Sequence, residues 1–418
     1  MQKLPILPLP LLNAAIIAKA AASFNHQEFD ILLPHDMKVY FETFGCRLNR
    51  AEALDQEAEY IAKGWEVVAR PSEADMFIIR CCSVTGRAER ECRHFIDALR
   101  KRHPGVPMKL EGCIGKPGVR KKSMPAVDAP VSTRTSRAYL KVQDGCNGKC
   151  SFCIVPQFRG KAESLPFSDA LARASRFIEA GYREIVVTGC NLSSYASEGK
   201  GLADLVAGLA ALDRGTRLRV GSLEPVAGTR ETAAAIAENE NVCDFLHLAV
   251  QSGSNNILSA MRRPYTMREV ESILSLSLKK MPYAGIGCDL MSGFPGERDF
   301  DHMATVSLLE RYPFSNAHVF KYSERPGTKA VVLGDQVPRE ERSRRAHELA
   351  GIADAGRRRF AKRFMGRKVT IVNESESGIA GWTGEYLWCE AKGKAPRKAL
   401  VTIQVTSISG DRLKGRAL

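Results

Sequence analysis

Cys146, Cys150 and Cys153 stand within eight residues, in the run KVQDGCNGKCSFCIVP, as a C-x3-C-x2-C triplet. Three thiols this close do not serve three separate structural roles. Soft thiolates suit iron–sulfur chemistry, and a loop of this length can wrap one face of a 4Fe–4S cube. Three protein ligands leave the fourth iron open to a substrate. Zinc is the competing occupant, but its sites usually close with a fourth Cys or His, and no His lies near this loop.

A second set of thiols is spread along the chain. From residue 38 onward strand-like and helix-like stretches alternate: KVYFETF (38–44), a helical stretch around 50–63, DMFIIR (75–80), a helix around 86–102 and VPMKLEG (106–112). Such alternation points to a parallel sheet of βαβ units. Cys46, Cys82 and Cys113 each follow one of these strands, spaced by 36 and 31 residues, about the length of one βαβ unit. Strand carboxyl ends share one edge of a parallel sheet, and ligands bind at that edge. Cys46, Cys82 and Cys113 are therefore expected to converge as a second three-thiolate site. Cys81 and Cys92 read as bystanders, one pointing away from the strand end and the other mid-helix.

A larger α/β region follows. Six strand-like runs, AYLKVQ, REIVVTG, RLRVGSL, DFLHLAV, AGIGCDLM and NAHVF, are separated by helical stretches. Six such units predict an open, partial (β/α)6 barrel, wide enough on one side for a large substrate. Polar, glycine-rich turns fall at the strand ends: Thr188–Asn191, Ser222–Pro225, Gln251–Ser254 and Ser292–Gly296. Four on one face, beside the thiolate loop, favour a cofactor pocket. The helical stretch 338–364 closes this region with a basic surface. Beyond Gly366 the pattern turns all-β, with nine Lys or Arg against five Asp or Glu. A small basic β-barrel with Trp382, Tyr386 and Trp388 resembles an oligonucleotide-binding module whose aromatics serve either as a stacking platform or as core. It is expected to add affinity rather than chemistry.

The expected organisation is a loosely ordered extension or displaced start over 1–36, a first α/β domain over 37–116, a Pro- and Lys-containing linker over 117–136, the barrel over 137–362 and the all-β domain over 363–418. Over 418 residues the composition, 44% apolar and 26% charged, is that of a globular protein. The net charge of +14 suggests a polyanionic partner, nucleic acid first. Twelve Cys, clustered rather than scattered, indicate reduced thiols holding metal and hence the cytosol. No apolar run approaches the ~20 residues a membrane span requires.

The triplet, with Phe152 just before its third Cys, resembles the signature of radical S-adenosylmethionine enzymes. In that superfamily the open iron chelates S-adenosylmethionine, which an electron cleaves to a 5′-deoxyadenosyl radical. Residues 38–418 as a whole resemble the methylthiotransferase family within it, through TFGCRLNRAEALD, CSVTGRAER, QDGCNGKCSFCIVPQFRG, VVTGCNLSSY, SLEP, HLAVQSGS, MRRPYT, GFPGE and HVFKYSERPGTKA. GCRLN and HVFKYSERPGT are similar to the branch acting on threonylcarbamoyladenosine in tRNA.

The resemblance implies a radical-generating 4Fe–4S cluster on Cys146, Cys150 and Cys153, and an auxiliary 4Fe–4S cluster on Cys46, Cys82 and Cys113 that presents sulfur. It implies methylthio transfer to C2 of the adenine beside the anticodon, a C-terminal TRAM domain, and tRNA, an electron donor and a sulfur donor as partners of a monomer. S-adenosylmethionine is expected across the strand ends carrying Gly189, Asn191, Glu224, Gln251 and Asp289. The chain departs from the family pattern at Arg80-Cys81, where Asn-Thr is usual, at Glu163, and in the short 33-residue interval from Cys113 to Cys146.

Overall fold

MFIIRCC, Met76–Cys82, is buried along its entire length, as a strand covered on both faces must be. The computed structural model describes residues 37–113, 124–132 and 134–418. The extension expected over 1–36 and the first part of the 117–136 linker lie outside them. The chain divides into two compact units, Met1–Lys116 and Pro117–Leu418.

The first unit holds β1 (Lys38–Thr43), β2 (Glu66–Val68), β3 (Met76–Cys82) and β4 (Met108–Cys113), all parallel in the order β2-β1-β3-β4. β2 is an addition to the sequence reading, too short to show a period. Helix α1 (Arg47–Ala62) covers one face, where Val39, Met76 and Ile78 pack with Tyr60 and Trp65. Helix α2 (Gly86–Arg102) covers the other, where Phe77, Ile79 and Cys81 meet Cys92, Ile96 and Leu99. The hydroxyl of Thr85 caps α2 by accepting from the Ala88 amide at 3.3 Å.

The second unit begins with β5 (Ala138–Lys141), β6 (Glu184–Thr188) and β7 (Arg217–Val220), which runs through Gly221 into β8 (Ser222–Leu223). Three longer strands follow: β9 (Phe245–Gln251), β10 (Gly285–Ser292) and β11 (Phe314–Lys321). All pair in parallel, as β7-β6-β5 and β8-β9-β10-β11. β5 and β11 are the outermost strands, which leaves a six-step arc open on one side, as expected of a partial barrel. Alternation decides which way each side chain points. Ile286, Cys288 and Leu290 of β10 pack outward in the core with Val270, Ile273 and Leu274 of α3 (Met267–Lys280), so Gly287, Asp289 and Met291 face inward.

The barrel floor is sealed by the C-terminal five-stranded sheet, β12 (Lys368–Val372), β13 (Ile379–Trp382), β14 (Trp388–Lys392), β15 (Leu400–Ser409) and β16 (Arg412–Ala417), ordered β12-β15-β16-β14-β13. Glu184 and Arg217 open their strands, and Arg219 lies two residues further along β7. The fully buried Glu184 accepts from Arg217 Nε at 2.8 Å and Arg219 Nε at 2.9 Å. Arg217 also donates to the carbonyls of Thr370 and Trp382, and Arg219 to those of Thr383 and Gly384. Tyr386 stacks on Phe245 at 5.0 Å and on Trp382 at 4.8 Å, with the Arg219 guanidinium 4.9 Å from its ring. Tyr386 is therefore engaged with the barrel, and Trp382 with Tyr386 and Trp388, while all three rings stay half-buried. This domain is a structural stopper as well as a charged surface. The arginines of the 338–364 helix divide likewise: Arg342 and Arg345 are buried, Arg345 against Glu297 at 2.9 Å, so that helix is less of a basic surface than its charge run suggests.

Burial pushes the Glu184 carboxyl up, but Arg217, Arg219 and Arg137 outweigh it and hold it at about 2. Replacing Glu184 with Gln leaves buried cations without their counter-ion and is expected to cost about 3 kcal/mol, read as a lower thermal midpoint. A chain ending at residue 365 should lose solubility with its floor; a soluble truncation with an unchanged midpoint contradicts this packing.

Candidate active site

In the first unit Cys46 occupies the N-cap of α1, directly after β1. Gly45, at φ +98°, makes the approach possible: a Cβ there would stand 2.4 Å from Cys82 Cβ and 2.8 Å from its Sγ. Cys82 and Cys113 end β3 and β4 and face one another in register. Burial pushes the Cys82 thiol up to about 11, against backbone hydrogen bonding at Val84, and the thiols of Cys46 and Cys113 push it further. The buried Asn49 secures the loop, donating to the carbonyls of Phe44 and Cys81 at 2.9 Å each. Arg80 pairs with Glu52 at 3.0 Å and Glu111 at 2.7 Å, giving its unusual place in the sequence a structural partner set. Cys81 points to the opposite face, its Sγ 2.7 Å from that of Cys92.

In the second unit the C-x3-C-x2-C loop leaves the end of β5. Gly145, at φ +68°, lets it turn; a Cβ there would come within 2.0 Å of the Lys161 carbonyl oxygen. Asp144, just before, is fully buried between Lys141 Nζ at 2.7 Å and Arg159 Nη1 at 2.9 Å, and accepts from the Gly145 amide at 2.7 Å. Burial opposes its charge, but Arg159 and Lys141 prevail and hold it at about 2. The Cys146 amide donates to the Gly160 carbonyl at 3.0 Å, closing the loop on itself. Cys146 and Cys150 flank Gly148, whose amide donates to Cys146 Sγ at 3.2 Å. Burial pushes the Cys153 thiol up to about 12 and also raises that of Cys150, which Arg263 opposes by donating from Nη1 to its sulfur at 3.0 Å.

The strand-end residues gather unevenly around this loop. Asn191, beyond β6, donates from Nδ2 to Glu224 at 3.0 Å, with Cys146 Sγ 4.0 Å away. Its backbone amide donates to Gln143 Oε1 at 2.8 Å, and Gly189 lies against that same Gln143 side chain. Glu224 pairs with Arg263 at 3.0 Å, completing a chain of contacts from Cys146 through Asn191, Glu224 and Arg263 to Cys150. Gln251 ends β9 with φ +71°, a strained backbone for a residue with a side chain. Asp289 differs: it sits inside β10, below the strand end, with its carboxylate engaged by His247 and His318. Of the turns, Ser292–Gly296 carries the buried Phe294, which packs edge-on against Phe152 at 6.4 Å. Arg263, Asp144 and Arg159 were not singled out by the sequence. MRRPYT and RG marked their places, but nothing in spacing tied them to the thiols.

Both triplets offer three sulfur donors. Among the described residues only His247, Asp289 and His318 bring three ligand atoms within 4.8 Å of one another. Neither Cys triplet brings its three sulfurs that close together. None of the twelve cysteines forms a disulfide.

Residues 140–309 match the radical SAM superfamily, and residues 38–128 match a group described as uncharacterized protein family UPF0004. The chain is 31% identical over 393 residues to the tRNA-2-methylthio-N(6)-dimethylallyladenosine synthase of Chlorobium phaeobacteroides, covering 81% of this chain and 86% of that protein. It belongs to the radical S-adenosylmethionine methylthiotransferase family. The threonylcarbamoyladenosine tRNA methylthiotransferase MtaB of Chlamydia pneumoniae is 30% identical over 404 residues, covering 90% of this chain and 95% of that protein. MtaB of Bacillus subtilis is 29% identical over 412 residues, covering 85% and 90%. Among solved structures, the radical S-adenosylmethionine methyltransferase TsrM of Kitasatospora setae shares the fold, with a TM-score of 0.51, 12% identity and coverage of 68% of this chain and 73% of that one. The protein is thus a radical S-adenosylmethionine methylthiotransferase that uses S-adenosylmethionine and two 4Fe–4S clusters. Among the described residues no helix is long and apolar enough to cross a membrane.

Replacing Cys146, Cys150 or Cys153 with Ala is expected to abolish reductive cleavage of S-adenosylmethionine, measured as 5′-deoxyadenosine. Replacing Cys46, Cys82 or Cys113 should spare that cleavage and stop methylthio transfer, whereas Cys81→Ala should keep both. Full product from Cys82→Ala contradicts the assignment.

Proposed function

We propose that this enzyme transfers a methylthio group to C2 of N6-threonylcarbamoyladenosine next to the anticodon of tRNA. The observation that carries the reading is the pair of thiolate triplets, each at the carboxyl edge of its own parallel sheet. The similarity to MtaB proteins over most of the chain supports the choice of nucleoside, and the net charge of +14 suits a polyphosphate partner.

In this reading Cys146, Cys150 and Cys153 hold the radical-generating cluster, and Cys46, Cys82 and Cys113 hold the auxiliary one. When bound, the clusters and S-adenosylmethionine supply one-electron chemistry and the methylthio group; an electron donor and a sulfur donor are required partners, and the compartment is the cytosol. The chain's own residues position and shield. Asp144 fixes the start of the thiolate loop through Lys141 and Arg159. Arg263 favours the thiolate of Cys150 and orients Glu224. Asn191, Glu224, Gln251 and the backbone at Gly189 offer polar groups to the ribose, adenine and amino-acid ends of S-adenosylmethionine. The sealed floor keeps water from entering beneath the reacting groups, while the open side between β5 and β11 admits a bulky substrate.

Mass analysis of tRNA nucleosides from a strain lacking the gene tests this. The expected result is loss of the 2-methylthio derivative of threonylcarbamoyladenosine with accumulation of its unthiolated parent. Loss of the dimethylallyladenosine derivative instead, or an unchanged nucleoside profile, refutes the assignment.

A further inference from the structure

The inner face of the barrel's open edge carries a second polar cluster, on β9, β10 and β11. His247 Nε2 lies 3.2 Å and His318 Nδ1 3.1 Å from the same oxygen, Oδ1 of Asp289. These are hydrogen-bond distances, so one carboxylate oxygen accepting from two imidazoles closes the cluster without an ion. Burial alone pushes the Asp289 carboxyl up, but His247 and His318 outweigh it and hold it below the usual carboxylate range. Side-chain exposure climbs from 5% at His247 through 22% at Asp289 to 45% at His318, so the cluster opens to solvent at its last member.

His318 has an aromatic neighbour. Phe320, two residues on and on the same face of β11, is 39% exposed, its ring edge-on to the imidazole at 6.3 Å. Phe320 pairs in register with Met291. Met291 and Phe152 of the thiolate loop pack against the same apolar group around Phe294 and Tyr322. An exposed aromatic ring and an anchored imidazole therefore share a face that continues toward the thiolate loop, on the side where the barrel admits substrate.

We propose that His318 and Phe320 form the substrate-nucleoside cradle, Phe320 stacking the base and His318 reading the polar, carboxylate-bearing substituent on N6. This rests on the proposed function and extends it to the residue that selects the substituent. Threonylcarbamoyl carries a carboxylate and a hydroxyl. With Nδ1 anchored on Asp289, Nε2 of His318 donates to the carboxylate when the ring is protonated and accepts from the hydroxyl when it is neutral. A dimethylallyl group offers neither, and a site built to hydrogen-bond a substituent discriminates against an analogue lacking it. His247 acts through Asp289 and is a positioning residue.

The test uses the full-length protein, reconstituted anaerobically with iron and sulfide, and anticodon stem–loop RNAs of one sequence carrying threonylcarbamoyladenosine or dimethylallyladenosine. Wild type is expected to prefer the threonylcarbamoyl RNA. In His318→Ala, kcat/KM for that RNA should fall about 10- to 100-fold, mostly through KM, while turnover of the dimethylallyl RNA does not fall, so the preference narrows. His318→Gln, which keeps a hydrogen-bonding end, should recover part of the loss and serves if the Ala variant fails to fold. A preference unchanged in both variants overturns this inference alone. Wild type that acts on the dimethylallyl RNA and ignores the other sinks the proposed function and this inference together. A stoichiometric divalent ion, additional to the cluster iron and lost in His318→Ala, would make the cluster a metal site and overturn the cradle.

Discussion

One buried carboxylate governs the thiolate loop. Asp144 is fully enclosed and faces two cations and a backbone amide, Lys141 behind it, Arg159 across from it and Gly145 beside it. Lys141 belongs to the first barrel strand and Arg159 to the far side of the loop, so a single side chain ties the loop's departure and return to the sheet. A buried ion group of this kind adds little net stability, but losing one partner leaves an uncompensated charge. Its effect is geometric: Cys146 starts from a fixed point, and Cys150 and Cys153 follow within a closed turn. The chain of contacts through Asn191, Glu224 and Arg263 then has a stationary target.

The opposite end of the barrel uses the same device for another purpose. Glu184 with Arg217 and Arg219 turns strand-end charges into a binding surface for carbonyls of the C-terminal sheet. Tyr386 and Trp382 add stacked area to that seal. The C-terminal sheet is consequently part of the barrel's structure. The arc of strands leaves β5 and β11 as its outer members.

Much of this was legible in the sequence because it is local. The C-x3-C-x2-C spacing and the strand-like runs needed only short-range pattern. The 36- and 31-residue intervals between Cys46, Cys82 and Cys113 worked because a βαβ unit has a characteristic length. What escaped depends on pairing across distance. Arg263 meets Cys150 from 113 residues away, and no period announces that. Asp289, expected at a strand end, is drawn to His247 and His318 by register among three strands. The 338–364 stretch is expected to be a basic surface because a run of basic residues does not reveal which of them, such as Arg345, face a carboxylate. The contacts of Tyr386 come from Phe245 and Arg219, more than 130 residues earlier.

The two three-thiolate sites are each expected to hold a 4Fe–4S cluster. Mössbauer spectroscopy of anaerobically reconstituted, 57Fe-enriched protein tests it most directly. Two 4Fe–4S clusters, about eight irons per chain, are predicted, with one cluster remaining in a variant lacking Cys46, Cys82 and Cys113. A wild-type spectrum with a single cluster, or with mononuclear iron in place of the second, would contradict it.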